Sequence, residues 1–264
     1  SCPIQIKPNI KIIHASSSNR PNYSETTVSD DLLKNETHMK TLQDWLSHLE
    51  TAHSGGLIDM GLERTGEVKK RMKLEPQCPV VVVAGTNGKG SVCAYLTQIY
   101  KQAGFKVGTL TSPHLLRYNE RIAVNAEPVS DDLITASFER IEAARSEISL
   151  TYFEFSTLSA LHLFKQAKLD VVILEVGLGG RLDATNIVDS HLAVITSIDI
   201  DHTDFLGDTK EAIAFEKAGI FRENCPVVIG EPNVPQTMLD QAEKLHCQVS
   251  RRDEDWSFEQ NAKN

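Results

Sequence analysis

The sequence predicts an α/β fold in which a mostly parallel β-sheet is flanked by helices. Short runs rich in Val and Ile alternate with longer segments whose apolar residues recur at helical spacing. Such alternation indicates βαβ units, which place their strands side by side and in parallel. The most apolar run, residues 79–84, leads directly into a glycine-rich segment. Ligands bind at such strand ends in open α/β sheets.

The helices are predicted from apolar residues that recur every three or four positions. The first carries Trp45 and Leu49 on one face, and the third follows directly on the glycine-rich segment with Val92 and Leu96 in its apolar stripe. The predicted helices span residues 41–50, 62–73, 89–103, 131–147, 155–167, 209–219 and 235–246.

The strands are predicted from short β-branched runs bounded by turn residues. Residues 79–84 end in four valines and an alanine, and residues 170–175 are apolar between two acidic ends. Such continuous apolar runs are typical of strands that are buried on both faces of a parallel sheet. The predicted strands span residues 79–84, 106–110, 170–175, 192–197 and 226–229.

Composition and charge exclude several classes of function. The 264 residues carry a net charge of −9, and this argues against a general electrostatic grip on nucleic acid or an anionic membrane surface. No apolar run is long enough to span a bilayer. The five cysteines are scattered without a Cys-x-x-Cys pair, which favours reduced thiols in the cytoplasm over a disulfide framework or a zinc site. We expect a monomer that binds small molecules.

The glycine-rich segment has the composition of a phosphate-binding loop. It consists of Gly85, Thr86, Asn87, Gly88, Lys89, Gly90 and Ser91. Glycines let backbone N–H groups turn toward phosphate oxygens, the following helix adds its positive N-terminus, and Lys89 supplies a cation. Ser91 is a candidate magnesium ligand. The segment therefore predicts binding of a nucleoside triphosphate.

This loop departs from the common G-x-x-x-x-G-K-[ST] pattern. Val83 occupies the position of the first glycine, and Gly90 stands between Lys89 and Ser91. The alternative is a glycine-rich turn that binds no ligand. A lysine in a loop that follows an apolar strand favours binding.

Polar residues follow two later strands at the same predicted edge of the sheet. Glu175 ends the strand at 170–175, and His202 comes after the strand at 192–197. Magnesium takes oxygen ligands, so a carboxylate beside the phosphate loop is its expected partner. The alternative for Glu175 is a capping or ion-paired carboxylate, and a single histidine such as His202 is more often structural.

Seven ordered motifs run through the chain, at residues 85–91, 111–115, 117–121, 151–154, 174–186, 201–203 and 216–220. Together they closely resemble the bacterial dihydrofolate synthase/folylpolyglutamate synthase family, a branch of the Mur ligase superfamily. The resemblance extends from about Leu42 to at least Gly230.

The resemblance implies an ATP-dependent amide ligase with a Mur ligase-like ATP-binding domain over residues 39–250. In this family ATP phosphorylates a substrate carboxylate, and the amine of glutamate then attacks the acyl phosphate. The products are 7,8-dihydrofolate from 7,8-dihydropteroate, or folates extended by γ-linked glutamates. The implied small molecules are ATP, Mg²⁺, glutamate and the pterin substrate.

The resemblance also implies roles for single residues. Lys89 and Lys217 fall at catalytic positions, and Lys217 matches the lysine that the family carbamylates, although an ordinary helix-surface lysine is the alternative. The implied magnesium ligands are Ser112, Glu175 and His202. The implied substrate contacts are Leu57, Ile58, Asp59, Met60, Thr151, Tyr152, Phe153, Glu154, Leu182, Asp183 and Ala184. The alternative for Tyr152 and Phe153 is packing in the core.

The two ends of the chain are expected to differ from its middle. Residues 1–38 mix polar, charged and proline residues without a sustained period, which predicts a disordered N-terminal extension. Residues 251–264 resemble the start of an interdomain linker, with the family's C-terminal ligase domain absent. We therefore expect a truncated chain that binds nucleotide weakly and ligates poorly alone. The open alternatives are another Mur-type amino-acid ligase and a non-catalytic nucleotide-binding module.

Overall fold

The computed structural model describes residues 5–6, 40–52 and 59–258. Its helices are α1 (Leu42–Ala52), α2 (Glu63–Met72), α3 (Lys89–Gln102), α4 (Asp131–Arg145), α5 (Tyr152–Ala167), α6 (Thr203–Leu206), α7 (Lys210–Ala218) and α8 (Gln236–Lys244). Its strands are β1 (Gln5–Ile6), β2 (Val80–Ala84), β3 (Val107–Leu110), β4 (Ile122–Val124), β5 (Glu127–Pro128), β6 (Val171–Glu175), β7 (Leu192–Ile195), β8 (Pro226–Ile229), β9 (Gln248–Arg251) and β10 (Trp256–Ser257). Two 3₁₀ helices span Tyr118–Arg121 and Ala184–Ile187.

The main sheet confirms the predicted mostly parallel architecture. Its eight strands lie in the order β5-β4-β3-β6-β2-β7-β8-β9. The six strands from β3 to β9 in this order are parallel, whereas β4 and β5 pair antiparallel at one edge. The C-terminal ends of β2, β3, β6 and β7 therefore meet at one edge of the sheet, which we call the phosphate edge.

Helices cover the two faces of the sheet unequally. On one face α3 packs over β6, β3 and β2, and Cys93 lies among Val81 and Ile173. The other face carries the larger core, to which α1, α2, α4, α5, α7 and α8 contribute. Every residue of β2 is buried because this central strand has a neighbour on each side and helices over both faces. A strand that is covered on both faces needs apolar side chains at every position, which accounts for the unbroken apolar sequence of β2.

Several short elements were not predicted from the sequence. β4, β5 and β10 hold two or three residues each, which is too short for a side-chain period to be recognised, and the four residues of β9 include a single apolar side chain. α5 begins at Tyr152 rather than at residue 155 because Thr151 caps it. Thr151 Oγ1 accepts from the backbone N–H of Glu154 at 3.2 Å, and Glu154 Oε2 accepts from that of Thr151 at 2.7 Å.

Little of the predicted N-terminal extension falls within the described residues. Gln5–Ile6 pairs antiparallel with Trp256–Ser257 to form a separate two-stranded sheet. The rest of residues 1–38 and the end of the predicted linker lie outside the described residues. Among the described helices, none has the length and apolar content needed to cross a membrane.

Candidate functional site

The phosphate loop leaves β2 at the phosphate edge and requires glycine where it turns. Gly85 has φ 152°, and a Cβ there would lie 1.9 Å from Thr196 Oγ1. Gly88 has φ 84° and stands directly before α3. Both positions therefore need a residue without a side chain. The backbone N–H groups of the first turn of α3 are left to face a ligand.

Hydrogen bonds tie this loop to the segment that follows β7. Thr86 N donates to Ser197 O at 2.9 Å, and Asn87 N donates to Ser197 Oγ at 2.9 Å. Thr86 Oγ1 donates to Asp199 O at 3.1 Å and accepts from Asp199 N at 3.0 Å. The loop is thus held in shape by a neighbouring strand end, which pre-organises it for an anion.

Lys89 is the first residue of α3 and folds back over the loop. Its ammonium group donates to Gly85 O at 2.9 Å and to Thr86 O at 3.3 Å. The cation therefore lies at the N-terminus of a helix, where the backbone dipoles also favour negative charge. This is the arrangement that a polyphosphate requires.

Glu175 and Ser112 meet beside the phosphate loop, as the sequence predicts. The Glu175 side chain ends β6 and is only 4% exposed, and its Oε2 accepts the backbone N–H of Ser112 at 3.0 Å. A Cβ on Gly90 would lie 3.7 Å from Glu175 Oε1, so the loop passes directly over the carboxylate. Burial raises the pKa of Glu175, while the Ser112 hydrogen bond and the Lys89 charge oppose that rise.

His202 is less closely integrated into this group. It has φ 50°, its side chain is 54% exposed, and Nε2 lies 3.6 Å from Asp201 Oδ2. Within the described residues no hydrogen bond or ion pair joins it to Ser112 or Glu175, and no three His, Cys, Asp or Glu side chains are grouped closely enough to hold a metal. The structure thus assembles the first two proposed metal ligands and leaves the third at the surface.

Lys217 is buried, so it is not the helix-surface lysine considered as the alternative. It lies in the last turn of α7 and is 3% exposed. Burial lowers the pKa of Lys217 to about 8, with the Lys89 charge adding to this effect and Asp201 opposing it. Among the described residues its ammonium group makes no hydrogen bond or ion pair. The Lys89 charge on α3 is thus close enough to influence Lys217 on α7.

A cavity of about 320 Å³ lies between α1, α5 and the glycine-rich loop of residues 177–183. Its volume is within the range of small-molecule sites. All described members of the predicted substrate set line it, namely Asp59, Met60, Thr151, Tyr152, Phe153, Glu154, Leu182, Asp183 and Ala184. Leu57 and Ile58 lie outside the described residues.

Two of the carboxylates in the cavity wall, Asp183 and Glu154, are already engaged by the protein. Asp183 Oδ2 accepts from Gly177 N at 3.0 Å and Leu178 N at 2.9 Å, and Oδ1 accepts from Thr185 N at 3.0 Å and Thr185 Oγ1 at 2.6 Å. Glu154 accepts from Thr151 N and from Arg64 Nη2, the latter at 3.0 Å. These carboxylates therefore shape the cavity wall, and the aromatic faces and backbone groups around them are left to contact a ligand.

Sequence reasoning missed Arg121 as a site residue. Its Nε donates to His114 Nδ1 at 2.8 Å, and its guanidinium lies 5.4 Å from the ring centre of Tyr152. Tyr152 lines the cavity, so a fixed positive charge lies next to the cavity wall. Arg121 belongs to the motif at residues 117–121, but nothing in that motif says which face its side chain occupies.

Comparison with known proteins identifies the family. The Mur ligase middle domain family matches residues 83–262, more than half of the chain. The chain belongs to the Mur ligase family. Within that family it is 70% identical over 224 residues to a dihydrofolate synthase/folylpolyglutamate synthase from Haemophilus influenzae, covering 84% of this chain and 51% of the relative.

Solved structures within the Mur ligase family have the same fold. Escherichia coli FolC in complex with DHPP and ADP has a TM-score of 0.82 at 54% identity, over 84% of this chain and 54% of that one. The bifunctional folylpolyglutamate synthase/dihydrofolate synthase from Yersinia pestis, complexed with AMPPNP and a Mn ion, has a TM-score of 0.80 at 55% identity, over 84% of this chain and 54% of that one. The relatives thus bind small-molecule ligands. The chain spans about half their length.

Proposed function

We propose that this chain is the nucleotide-binding and pterin-binding part of an ATP-dependent ligase. The reaction joins L-glutamate to 7,8-dihydropteroate and extends folates by γ-linked glutamates. The observation that carries the proposal is the arrangement around the phosphate edge, where the phosphate loop passes over Glu175 and the glycine-rich loop that follows Glu175 both packs against Lys217 and lines the cavity. The named activity of the relatives supports it.

The chemistry begins with a poor acyl donor. The substrate carboxylate attacks the γ-phosphorus of ATP, and the bond to the β-phosphate oxygen breaks to release ADP and an acyl phosphate. The glutamate amine then attacks the acyl carbon, loses a proton and displaces inorganic phosphate. The phosphate loop holds the chain of phosphates, and Lys89 neutralises the negative charge that develops on them. Most of the catalytic benefit is thus positional and electrostatic.

The residues present fit a magnesium ion beside the phosphates. Glu175 offers a buried carboxylate under the loop, and the Ser112 hydroxyl group belongs to a residue that already contacts it. Such hard oxygen donors suit Mg²⁺, which when bound neutralises phosphate charge. We assign His202 as a third ligand from the family resemblance alone.

The cavity suits a flat, partly polar ring system. Phe153 and Tyr152 offer aromatic faces, and a Cβ on Gly177 would come within 2.9 Å of Phe153, which leaves that ring little room to move. Arg121, fixed by His114 beside Tyr152, is well placed to attract the carboxylate end of the substrate. The substrate would then have its ring in the cavity and its anionic end outside.

Lys217 is the residue that we propose to be carbamylated. Its neutral amine would attack carbon dioxide, forming a nitrogen–carbon bond and losing a proton. The lowered pKa of Lys217, about 8, raises the fraction of the neutral form at neutral pH. The product replaces a buried cation by an anion next to Lys89, which relieves the repulsion between the two ammonium groups.

A fusion protein tests the proposed function. This chain is joined to the C-terminal half of the H. influenzae relative, and ADP and 7,8-dihydrofolate are measured with ATP, Mg²⁺, dihydropteroate and glutamate. The fusion should form both products in equal amounts, and Lys89→Ala in the same fusion should form neither. A folded fusion that binds ATP but forms no ADP in response to dihydropteroate would contradict the proposal.

A further inference from the structure

The glycine-rich loop separates the substrate cavity from the last turn of α7. Leu178 and Leu182 line the cavity on one side of the loop. On the other side, a Cβ on Gly180 would lie 2.7 Å from Glu216 O and 3.1 Å from Lys217 O. The loop backbone therefore packs directly against the turn that carries Lys217, so a shift of that turn must move the cavity wall.

Arg181 and Glu216 join these two segments, and we call this pair the clamp. Arg181 N donates to Glu216 O at 2.8 Å. The Arg181 side chain donates from Nε at 3.1 Å and from Nη2 at 2.9 Å to the same oxygen, Glu216 Oε1. A Cβ on Gly219 would lie 2.3 Å from Arg181 Cβ, so the two backbones approach as closely as glycine permits.

The clamp is not arranged for maximum stability. The Glu216 side chain is 14% exposed, and its second oxygen, Oε2, is buried without a hydrogen-bond partner in the described part of the chain. A buried carboxylate oxygen without a donor costs free energy. Asn186 Nδ2 holds the same junction by donating to Arg181 O at 2.9 Å and Gly219 O at 3.1 Å. A polar junction with an unsatisfied oxygen fixes the position of the loop relative to α7 better than it stabilises the fold.

We propose that Arg181 and Glu216 are positioning residues that hold Lys217 at the phosphate edge and keep the wall of the pterin cavity in its binding shape. This inference rests on the proposed function, because Lys217 and the cavity serve one reaction only if the chain is part of the proposed ligase. It implies that pterin binding and the placement of Lys217 depend on the same pair. Nucleotide binding does not depend on it, because residues 196–199 hold the phosphate loop.

The test compares Glu216→Ala, Arg181→Ala, the double variant and Glu216→Gln in the full 264-residue chain. Calorimetry gives the Kd for pteroate and for Mg-ADP. Mass spectrometry after brief acetylation gives the reactivity of Lys217 relative to the exposed Lys101. Glu142→Ala is the matched control, because it breaks an ion pair with Arg145 within α4, which contributes no residue to the cavity wall among the described residues.

Each alanine variant should weaken pteroate binding by about tenfold, and the double variant should be no weaker than either single one because both remove the same ion pair. Lys217 should become about tenfold more reactive while the Kd for Mg-ADP stays within about twofold. Glu216→Gln keeps an oxygen for Arg181 and should resemble the control.

Alanine variants that match the control in pteroate binding and Lys217 reactivity overturn the clamp. Alanine variants that lose affinity for Mg-ADP as much as for pteroate overturn it too. A wild-type chain that binds Mg-ADP and no pteroate overturns the proposed function itself.

Discussion

The backbone N–H of Ser112 donates to Glu175 Oε2 over 3.0 Å, and this bond joins the ends of two neighbouring parallel strands. Ser112 follows β3 and Glu175 ends β6, so residues 63 positions apart in the sequence meet beneath the phosphate loop. The bond fixes one carboxylate oxygen and lowers the pKa of Glu175, which burial would otherwise raise further. It prepares a carboxylate to receive a cation.

Replacing Glu175 with Gln should remove most of the metal dependence of nucleotide binding. The amide keeps the acceptor for the Ser112 N–H but removes the negative charge. In the unmodified chain Mg²⁺ should strengthen ADP binding roughly tenfold, which is the contribution of one strong charge-assisted contact. In Glu175→Gln this effect of Mg²⁺ should be far smaller. Calorimetry with Mg²⁺ and with EDTA measures this. Asp240→Asn on α8 is the control, and an equal Mg²⁺ effect in Glu175→Gln and the control would refute the assignment.

Replacing Lys89 with Ala should weaken ADP binding by about 1.5–3 kcal/mol, the usual size of a hydrogen bond to a charged group. The fold should remain, because within the described part of the chain the cation contacts only carbonyl oxygens of its own loop. Lys101→Ala, at the other end of α3, provides the comparison and should leave the affinity unchanged. Equal affinities in the two variants would show that Lys89 does not contact phosphate.

Gly85 and Gly66 should respond to alanine in opposite directions. At Gly85 a Cβ collides with Thr196 Oγ1, so Gly85→Ala should lower the free energy of unfolding by at least ~2 kcal/mol and distort the loop. At Gly66, inside α2, a Cβ would meet no atom of the described residues within 4 Å, so Gly66→Ala should raise the free energy of unfolding by ~0.5–1 kcal/mol. Urea unfolding of both variants measures the difference, and a neutral Gly85→Ala would contradict the described loop.

Lys217 should make stability depend on pH above neutrality. Its folded pKa of about 8 lies below the ordinary 10.5, so the unfolded chain binds more protons between these two values and stability rises with pH across that window. Below pH 8 the uncarbamylated fold bears the full cost of a buried charge, ~3 kcal/mol for a shift of this size. Lys217→Met should therefore be more stable than the parent at pH 7.

The comparison is made by urea unfolding at several pH values in carbonate-free buffer. The advantage of Lys217→Met should shrink as pH rises from 8 toward 10.5. An advantage that stays constant over this range would mean that Lys217 does not titrate in the folded chain. Lys165→Met, at an exposed position on α5, is the matched control for replacing a lysine by methionine.

The local features of the site could be predicted from the sequence because neighbouring residues create them. β2 and the phosphate loop are a valine run followed by glycines, and this order of residue types identifies both, although residues 197–199 also hold the loop in shape. The Thr151–Glu154 capping box was also readable, since Thr-x-x-Glu before an apolar run indicates a helix start. It was interpreted instead as a ligand segment, and the structure gives these residues both roles, as a cap and as cavity wall.

The long-range features could not be predicted. The burial of Lys217 depends on how closely the glycine-rich loop approaches α7, which a helical pattern does not show. The four hydrogen bonds that occupy Asp183 come from backbone and hydroxyl groups without a sequence signature. The edge strands depend on pairing rather than on their own residues, because β4 pairs with β3 and β5 pairs with β4. Such features follow from tertiary packing.

The most direct test of this account is whether one chain binds a nucleotide and a pterin in adjacent, separate sites. Calorimetric titration of pteroate is performed on the 264-residue chain with and without saturating Mg-ADP, followed by the reverse titration. The account predicts one equivalent of each ligand, with pteroate binding retained when Mg-ADP is bound. Mutual exclusion of the two ligands, or binding of nucleotide without any binding of pteroate, would contradict it.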